Sequence, residues 1–360
     1  MERIGGPEVC LTVRSHGHAA TKIDIDASKG RGAVDSLVQW LRGSSLPAPA
    51  AVGHRVVHGM LHTAPARVSA ELLAELRGIT PYDPEHMPRE IELIEALQRA
   101  YADVPHVACF DTAFHRTMPG VATQLPIPRR YARKGVQRYG FHGLSYTFLM
   151  QELMRIAGPR AASGRVILAH LGSGASLAAV QSGRCIDTSM GFTPAAGLVM
   201  GTRSGDLDPG LMSYLALTEP MNAEQFQTMV NHESGLIGVS ETSADVRDLL
   251  DREPKDARAR EALALFCYQA KKWIGSFAAV LGGVDTLVFA GGIGENAAPL
   301  RRRICDGLEF LGIEIDDSKN QANAPKISRD TGAVAVRVMH TDEEIIIADL
   351  TAGLLGLNGK

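Results

Sequence analysis

Short apolar runs alternate with amphipathic stretches along most of the chain. Runs of apolar and β-branched residues predict strands at 52–58, 106–110, 165–171, 175–181, 286–290 and 333–339. Apolar residues at helical spacing predict helices at 33–41, 69–77, 89–101, 145–156, 244–250, 258–281 and 342–355. Because strands and helices alternate along the chain, we predict an α/β protein with mixed sheets.

The length of 360 residues suits two domains, and 45% hydrophobic residues are enough to build their cores. This composition excludes a disordered, collagen-like or coiled-coil chain. The most apolar window, residues 277–294, is interrupted by Asp285 and by glycines, so it predicts a buried helix end and a strand rather than a membrane span. A candidate domain boundary lies near residues 145–164, where a helix is expected to end in a Gly-Pro loop at 157–160.

The charge of the chain is balanced, with 37 Lys and Arg against 40 Asp and Glu and a net charge of −3. This balance gives no reason to expect a nucleic acid or an anionic membrane as the partner. Five scattered cysteines, never in C-x-x-C spacing, argue against a disulfide scaffold and a zinc knuckle. Residues 1–6 show no signal-peptide pattern, so we expect a cytoplasmic protein.

Two glycine-rich loops follow predicted strands. The sequence HLGSGAS at 170–176 lies between two strands, where it can expose backbone N–H groups to an anion or form an ordinary hairpin turn. The sequence GGIGEN at 291–296 lies between a strand and a helix, as in nucleotide sites, with a tight structural turn as the alternative. Neither loop reads G-x-G-x-x-G and no P-loop is present, which disfavours a standard dinucleotide fold and a P-loop NTPase.

Several charged side chains stand at strand ends or on loops, where they can meet a ligand. Arg55 interrupts an apolar strand, Asp111 ends another, and His142 lies between two glycines. The irregular stretch 190–210 presents Arg203, which either binds an anion or pairs with an aspartate of the same loop. Such a set suits phosphoryl transfer, which needs positioning and charge neutralisation more than covalent chemistry.

A series of motifs in fixed order resembles the acetate kinase family, within the superfamily of sugar kinases, actin and heat-shock chaperones. The motifs cover nearly the whole chain: HRVVHG (54–59), FDTAFHRTMP (110–119), RYGFHG (138–143), HLGSGAS (170–176), DTSMGFTPAAGLVMGTRSGDLDPG (187–210), NHESGLIGVSETSADVRDL (231–249), GGIGEN (291–296) and TDEE (341–344). The resemblance implies two related α/β domains, actin-like and sugar-kinase-like with ribonuclease H-like cores, around an active-site cleft. It implies a substrate-side domain at 1–147 plus 344–360 and a nucleotide-binding domain at 148–343.

The resemblance also implies a reaction. Family members transfer the γ-phosphoryl group of ATP to acetate by direct in-line transfer, reversibly and with Mg²⁺ or Mn²⁺, giving acetyl phosphate and ADP, and they are homodimers. At the matching positions, Arg55 and Arg203 would bind the carboxylate and the oxygens of the phosphoryl group in flight. His142 would hydrogen-bond that group, Asp111 would be the essential acid, and Glu343 would be the carboxylate on the metal side.

Two larger sets of residues follow from the same matching. The pocket for the methyl group of the substrate would comprise Val57, Phe141 and Pro194. The ATP site would comprise His170, Leu171, Gly172, Ser173, Gly174, Asp245, Val246, Arg247, Gly292, Ile293, Gly294, Glu295 and Asn296.

The sequence departs from the family pattern in several places. The family's opening N-x-G-S-S-S-x-K is not found and residues 2–5 resemble a later stretch, so we expect the family's first hairpin to be missing. Tyr82 and Asp83 stand where the family has Leu and His, and Tyr146 stands where it has His. Three hypotheses stay open: an acetate kinase, a kinase for propionate, butyrate or another carboxylate, and a nucleotide-binding relative with impaired catalysis.

Overall fold

A computed structural model of the chain describes residues 9–13, 21–25, 33–44 and 47–357. The chain divides into two compact units. Unit 1 holds the described residues of Met1–Val56, Pro65–Cys109 and Leu350–Lys360, and unit 2 holds Val57–Ala64 and Phe110–Asp349. The predicted domain bounds at 147 and 344 stay a prediction. The expectation about the family's first hairpin concerns the start of the chain, and residues 1–8 lie outside the described residues.

Unit 1 combines strands with amphipathic helices. Its elements are β1 (Val9–Val13), β2 (Thr21–Ile25), α1 (Ala33–Gly43), β3 (Val52–Val56), β4 (Ala66–Arg67), α2 (Ala70–Gly78), a 3-10 helix (Thr80–Tyr82), α3 (Met87–Ala100) and β5 (His106–Phe110). Strands β1 and β2 pair as antiparallel neighbours, and a second sheet has the order β3-β5-β4. The last residue of β5, Phe110, already belongs to unit 2.

The local sequence explains the helices of unit 1. Ser69 caps α2, since its hydroxyl accepts a hydrogen bond from Leu72 N at 3.2 Å. Helix α3 is amphipathic and buries Met87, Ile91 and Ile94 on one side. The helices predicted for these two segments are therefore confirmed.

Unit 2 contains a five-stranded mixed sheet and most of the helices. Its strands are β6 (Arg165–Leu171), β7 (Ala175–Gln181), β8 (Arg184–Thr188), β9 (Thr286–Ala290) and β10 (Ala335–Val338), in the order β10-β9-β6-β7-β8. Strands β10, β9 and β6 are parallel, whereas β7 is antiparallel to both of its neighbours. This arrangement confirms the predicted α/β class with mixed sheets.

The helices of unit 2 vary widely in length. They are α4 (Gly120–Thr123), α5 (Arg129–Ala132), α6 (Gly143–Ala162), α7 (Gly210–Thr218), α8 (Ala223–Thr228), α9 (Gly235–Ser240), α10 (Val246–Arg252), α11 (Ala257–Leu281), α12 (Gly291–Asn296), α13 (Ala298–Cys305), α14 (Asp317–Gln321) and α15 (Glu343–Leu355), whose last residues belong to unit 1. A 3-10 helix at Asp111–Thr117 follows β5. No described helix is both long enough and apolar enough to cross a membrane.

The core of unit 2 lies on both faces of its sheet. On one face Tyr146, Leu149 and Leu153 of α6 pack against Leu168 of β6 and Val288 of β9, with Val166, Ala178, Val180, Ala290 and Met339 in the same cluster. Alternate strand residues point the other way, and on that face the long helix α11 contacts β6 and β7. The sheet is therefore covered on both sides, and its strand ends and the start of α6 position the residues described next.

Candidate active site

His142 occupies a strained turn at the start of α6. Its backbone has φ 60° and ψ 25°, the left-handed conformation that is uncommon for residues other than glycine. The next residue must be glycine, because a β-carbon at Gly143 would lie 1.9 Å from the carbonyl oxygen of Asp111. The start of α6 therefore packs directly on the 3-10 helix that begins at Asp111, and this packing holds His142 in place.

His142 and Arg203 converge on Gly174, in the turn between β6 and β7. A β-carbon at Gly174 would lie 3.3 Å from His142 Nε2 and 3.8 Å from Arg203 Nη1. The glycine leaves room for a small group beside an imidazole nitrogen and a guanidinium. The structure thus brings together His142 and Arg203, two of the three predicted catalytic side chains. They are 61 residues apart in the sequence (203 − 142 = 61).

The loop 190–210 presents Arg203, and two aspartates of the same loop hold its backbone. Asp206 Oδ1 accepts a hydrogen bond from Gly197 N at 2.9 Å, and Asp208 Oδ1 likewise accepts from a backbone N–H. Arg203 Nη1 lies 3.4 Å from the carbonyl oxygen of Pro194. The role of Arg203 as an anion-binding group stays a prediction.

Two stacked imidazoles form the centre of the site. The ring centroids of His142 and His170 are 4.3 Å apart, with 28° between the ring planes. The Nδ1 atom of each ring lies 2.8 Å from a serine hydroxyl, Ser176 for His142 and Ser145 for His170. Ser145 Oγ also lies 2.8 Å from Thr341 Oγ1. Each ring is therefore oriented through its Nδ1 atom.

These orienting hydroxyls are not among the residues predicted from the sequence. Tyr146, whose hydroxyl lies 2.5 Å from Ser176 Oγ, is four residues after His142 and so lies one helical turn along α6. That spacing could have identified Tyr146 from the sequence as a neighbour of His142. By contrast, Ser176 and Thr341 meet their partners only through the tertiary fold, which the sequence does not reveal.

The predicted residues of the methyl pocket are buried or half-buried. Val57 and Phe141 are 3% and 1% exposed, and the ring of His58 lies 5.9 Å from that of Phe141. The carbonyl oxygen of Phe141 accepts a hydrogen bond from His115 Nε2 at 2.8 Å. Burial lowers the pKa of His115 to about 4, so the ring is neutral at pH 7 and anchors the backbone before His142.

A cavity of about 620 Å³ lies beside the turn that carries Gly174. Eight of its eleven lining residues belong to the predicted ATP site: Gly172, Ser173, Asp245, Val246, Arg247, Gly292, Ile293 and Asn296. The other three, Ala244, Leu250 and Ala297, were not predicted. Leu250 follows Val246 by four residues on α10, so the helical period could have identified it.

The remaining predicted ATP-site residues support the cavity rather than line it. Leu171 ends β6, and Gly294 and Glu295 belong to α12, while His170 and Gly174 take part in the centre described above. Glu295 Oε1 accepts a hydrogen bond from Gly291 N at 3.1 Å, which ties the side chain to the start of its own helix.

Asp245 and Arg247 form an ion pair at the N-terminus of α10. Asp245 Oδ1 accepts from Arg247 N at 2.8 Å, which caps the helix, and its Oδ2 lies 2.5 Å from Arg247 Nη2. This partner lowers the pKa of the Asp245 carboxyl below its ordinary value. Because the pair is largely exposed, we attribute to it a role in shaping the cavity rather than in stability.

The two predicted acids lie at different elements of unit 2. The Asp111 side chain is completely buried at the start of its 3-10 helix, whereas Glu343 is half-buried at the start of α15. The Ser145–Thr341 hydrogen bond brings the segment just before Glu343 to the first turn of α6, the same turn that packs on Asp111. No cluster of three or more His, Cys, Asp or Glu suited to a metal ion is found among the described residues.

The predicted residue Arg55 and two positions that depart from the family pattern, Tyr82 and Asp83, belong to unit 1. Arg55 lies on β3, where its Nη1 is 3.9 Å from Glu90 Oε1. Asp83 is buried and its Oδ1 accepts from His86 N at 3.2 Å, while Tyr82 ends the short 3-10 helix before it. The role of Arg55 in carboxylate binding stays a prediction.

Comparison with protein families identifies one that spans most of the chain. The model of the acetokinase family matches residues 1–349. The chain is 46% identical over 337 residues to an acetate kinase of Rhodopseudomonas palustris (strain ATCC BAA-98 / CGA009), covering 91% of this chain and 84% of that protein. It is 42% identical over 341 residues to a propionate kinase of Citrobacter rodentium, covering 93% and 82%.

Solved structures agree with this result. The fold is similar to the crystal structure of Porphyromonas gingivalis acetate kinase, with a TM-score of 0.86 and 34% identity over 98% of this chain and 91% of that chain. A propionate kinase from Francisella tularensis gives a TM-score of 0.90 at 32% identity, with the same two coverages.

Proposed function

The chain belongs to the acetokinase family, and we propose that His142 and Arg203 form the centre at which it transfers a phosphoryl group. The enzyme is a phosphotransferase with a carboxylate acceptor, and it moves the γ-phosphoryl group of ATP to acetate. An acetate oxygen attacks the γ-phosphorus, and the bond from that phosphorus to the β–γ bridging oxygen breaks. The electron pair of that bond leaves with ADP, so the products are acetyl phosphate and ADP.

The convergence of His142 and Arg203 on Gly174 is the observation that carries this proposal. A loose phosphoryl-transfer transition state spreads negative charge over three equatorial oxygens, and the protein stabilises it with fixed donors and positive charge. Arg203 supplies the charge and the N–H donors, and His142 supplies a donor through Nε2, 3.3 Å from the β-carbon position of Gly174. Because Gly174 has no side chain, space remains there for the phosphoryl group.

The neighbouring cavity supports ATP as the phosphoryl donor. Gly172 and Ser173 line it, and they directly precede Gly174 in the same turn. A nucleotide in this cavity therefore directs its phosphates toward the His142–Arg203 pair. Val246 and Leu250 of α10 offer apolar contacts of the kind that a nucleobase needs.

A divalent ion, Mg²⁺ or Mn²⁺, is part of the proposal, and the donor set fits it. Mg²⁺ in kinase sites is held by one or two carboxylates together with substrate phosphates and water, so a cluster of three protein ligands is not required. Glu343 would hold the ion, and Asp111, a completely buried carboxylate, would orient an arginine or the shell of ligands around the ion. When bound, the ion neutralises charge on the phosphate oxygens.

Acetate recognition is proposed for Val57, Phe141 and Pro194, which would contact its methyl group, and for Arg55, which would bind its carboxylate. Two of these side chains are apolar and almost fully buried, and Pro194 adjoins Arg203 through its carbonyl oxygen. Propionate is the second candidate acceptor, since the chain is 42% identical to a propionate kinase over 93% of its length.

The proposal is tested by measuring acyl phosphate, trapped as a hydroxamate, from the full chain with ATP, Mg²⁺ and either acetate, propionate or butyrate. We expect Arg203→Lys and His142→Asn to lower kcat by about 10²- to 10³-fold. Arg155→Lys is the matched control, because Arg155 is an exposed partner of Glu152 on α6. The absence of acyl phosphate from folded protein, or full activity in both variants, would refute the proposal.

We also propose a homodimer in the cytoplasm. Helix α7 is apolar along most of its length, yet it leaves Tyr214 61% and Leu217 87% exposed. Such a helix is typical of a surface that a second copy covers. The molar mass from light scattering tests this, since a chain of 38.5 kDa would give about twice that mass as a dimer.

A further inference from the structure

A chain of three hydrogen-bonding side chains leads from the interior of unit 2 to the imidazole of His142. His142 Nδ1 lies 2.8 Å from Ser176 Oγ, which lies 2.5 Å from the hydroxyl of Tyr146. Tyr146 and Ser176 are both completely buried, so water does not replace any of these contacts. The protons in this chain must therefore be shared among the three side chains.

Tyr146, the side chain farthest from the ring of His142 in this series, fixes the direction of the hydrogen bonds. A phenol hydroxyl carries one proton, and the only acceptor of the Tyr146 hydroxyl among the described residues is Ser176 Oγ. Burial raises the pKa of Tyr146 above its ordinary value, so the phenol keeps its proton. A buried hydroxyl proton without an acceptor is unfavourable, and Tyr146 therefore donates to Ser176.

Ser176, which lies between Tyr146 and His142, then has only one possible arrangement of its hydrogen bonds. Ser176 accepts from Tyr146, and the serine hydroxyl has a single proton of its own to donate. His142 Nδ1 is the other side-chain partner of Ser176. Ser176 therefore donates to Nδ1, which has to be an unprotonated nitrogen with a lone pair.

We infer that the Tyr146–Ser176 relay holds neutral His142 in the tautomer with its proton on Nε2. Nε2 is the ring atom that faces Gly174, where Arg203 also converges. Tyr146 and Ser176 are thus positioning residues, because they act on the reaction only through His142. In the opposite tautomer Nδ1–H would donate to Ser176, and one buried hydroxyl proton, that of Ser176 or that of Tyr146, would have no acceptor among the described residues.

The catalytic consequence rests on the proposed function. With the proton on Nε2, His142 can donate a hydrogen bond to an oxygen of the transferring phosphoryl group. With the proton on Nδ1, the ring would present a lone pair to the same oxygen, and the two would repel each other. The relay therefore prepares a donor before the substrates bind.

This arrangement depends on tyrosine at position 146. The family pattern that the motif FHGLSYTF resembles has histidine there. An imidazole can either donate to Ser176 or accept from it, so it would allow both directions of the relay. A phenol in a dry site allows only one of these directions, and in this chain the tautomer of His142 is accordingly fixed.

The test is ¹⁵N NMR of the full chain labelled at histidine, with the signals of His142 identified by their loss in His142→Asn. We expect the Nε2 signal of a protonated nitrogen and the Nδ1 signal of an unprotonated, hydrogen-bonded one. In Ser176→Ala the Nδ1 signal should shift toward that of a nitrogen without a hydrogen bond, and Tyr146→Phe should cause a smaller shift in the same direction. Thr188→Val is the matched control, because Thr188 donates from a buried hydroxyl to Leu177 O on the same sheet.

The outcomes separate this inference from the proposed function. A proton on Nδ1 of the unmodified protein overturns the relay, and so does an Nδ1 signal unmoved in both relay variants; neither result depends on turnover. If the relay holds, Ser176→Ala lowers kcat about tenfold with little change in the KM for ATP. An unmodified enzyme that makes no acyl phosphate but shows the expected tautomer refutes the proposed function and leaves the relay intact.

Discussion

Arg301 holds the carbonyl oxygen of Gly294 in the glycine-rich segment 291–296, with its Nη1 donating to that oxygen at 2.8 Å. The guanidinium is completely buried, and its other four hydrogen bonds go to Glu295 O, Asn320 Oδ1, Asn320 O and Asn323 Oδ1. All five donors are therefore used, although burial lowers the pKa of Arg301 to about 10. The side chain stabilises the glycine-rich segment that lines the cavity.

Replacing Arg301 is expected to destabilise unit 2 strongly. Arg301→Met leaves three backbone carbonyl groups and two amide oxygens without their donor, and we expect a loss of about 3–5 kcal/mol in the free energy of unfolding. Arg302→Met is the matched control, because Arg302 is partly exposed and its Nε lies 3.1 Å from Asp317 Oδ1, so its removal costs at most about 1 kcal/mol. Urea denaturation measures both, and equal effects would contradict this role of Arg301.

Gly174→Ala tests the space between His142 and Arg203. The added methyl group would lie 3.3 Å from His142 Nε2, a close approach in the place proposed for the phosphoryl group. We expect kcat to fall at least about tenfold, while the melting temperature changes little. Gly275→Ala on α11 is the control, since nothing lies within 4 Å of its β-carbon position and alanine favours the helix. Equal activity of the two variants would exclude this use of the space.

The regular parts of the fold could be predicted from the sequence because their patterns are local. The strands expected at 165–171 and 175–181 are found with those bounds, since nearly all of their residues are apolar and buried. Strand β8 was missed because it alternates with Arg184 and Asp187, so its apolar run is too short to stand out. The segment 291–296 was expected as a glycine loop before a helix, but it forms the helix α12 itself.

The site could be predicted only in part, because several of its contacts join residues that are far apart in the sequence. The motifs identified His142 and Arg203 as candidates. Only the tertiary fold shows that both side chains lie beside Gly174. Ser176 meets His142 Nδ1 through the packing of β7 against the start of α6, and no spacing along the chain signals this hydrogen bond. Local periodicity therefore predicts elements, while the partners of a catalytic side chain depend on how those elements pack.

Leu250 tests whether the cavity binds the nucleotide. Its side chain lines the cavity from α10, so Leu250→Ala removes apolar surface without touching the His142–Arg203 pair. We expect the KM for ATP to rise several-fold with little change in kcat, because an interaction of equal strength in the ground and transition states affects binding alone. Asp251→Asn is the control, since Asp251 is exposed on the same helix and lies outside the cavity lining. A fall in kcat with unchanged KM would argue against a nucleotide in this cavity.

His115 makes the stability of the protein depend on pH. Burial lowers its pKa from 6.5 to about 4, so between these values the unfolded chain binds a proton that the folded chain does not. The contribution of His115 to the free energy of unfolding is therefore fully present above pH 6.5. As the pH falls from 6.5 to 4, this contribution decreases by about 3 kcal/mol. His54 in unit 1, whose pKa burial also lowers to about 4, adds to the same trend.

The contribution of His115 is measured by urea denaturation at several pH values between 7 and 4. His115→Gln keeps an amide donor for the carbonyl oxygen of Phe141 but does not titrate, so it should lose about 3 kcal/mol less over this range than the unmodified protein. Thr188→Val removes a buried hydroxyl nearby and should lower stability equally at every pH. If the His115→Gln curve instead runs parallel to that of the unmodified protein, His115 is not the group that titrates. Because its Nε2–H holds the backbone just before His142, kcat in His115→Gln should fall only if the amide fails to keep that hydrogen bond.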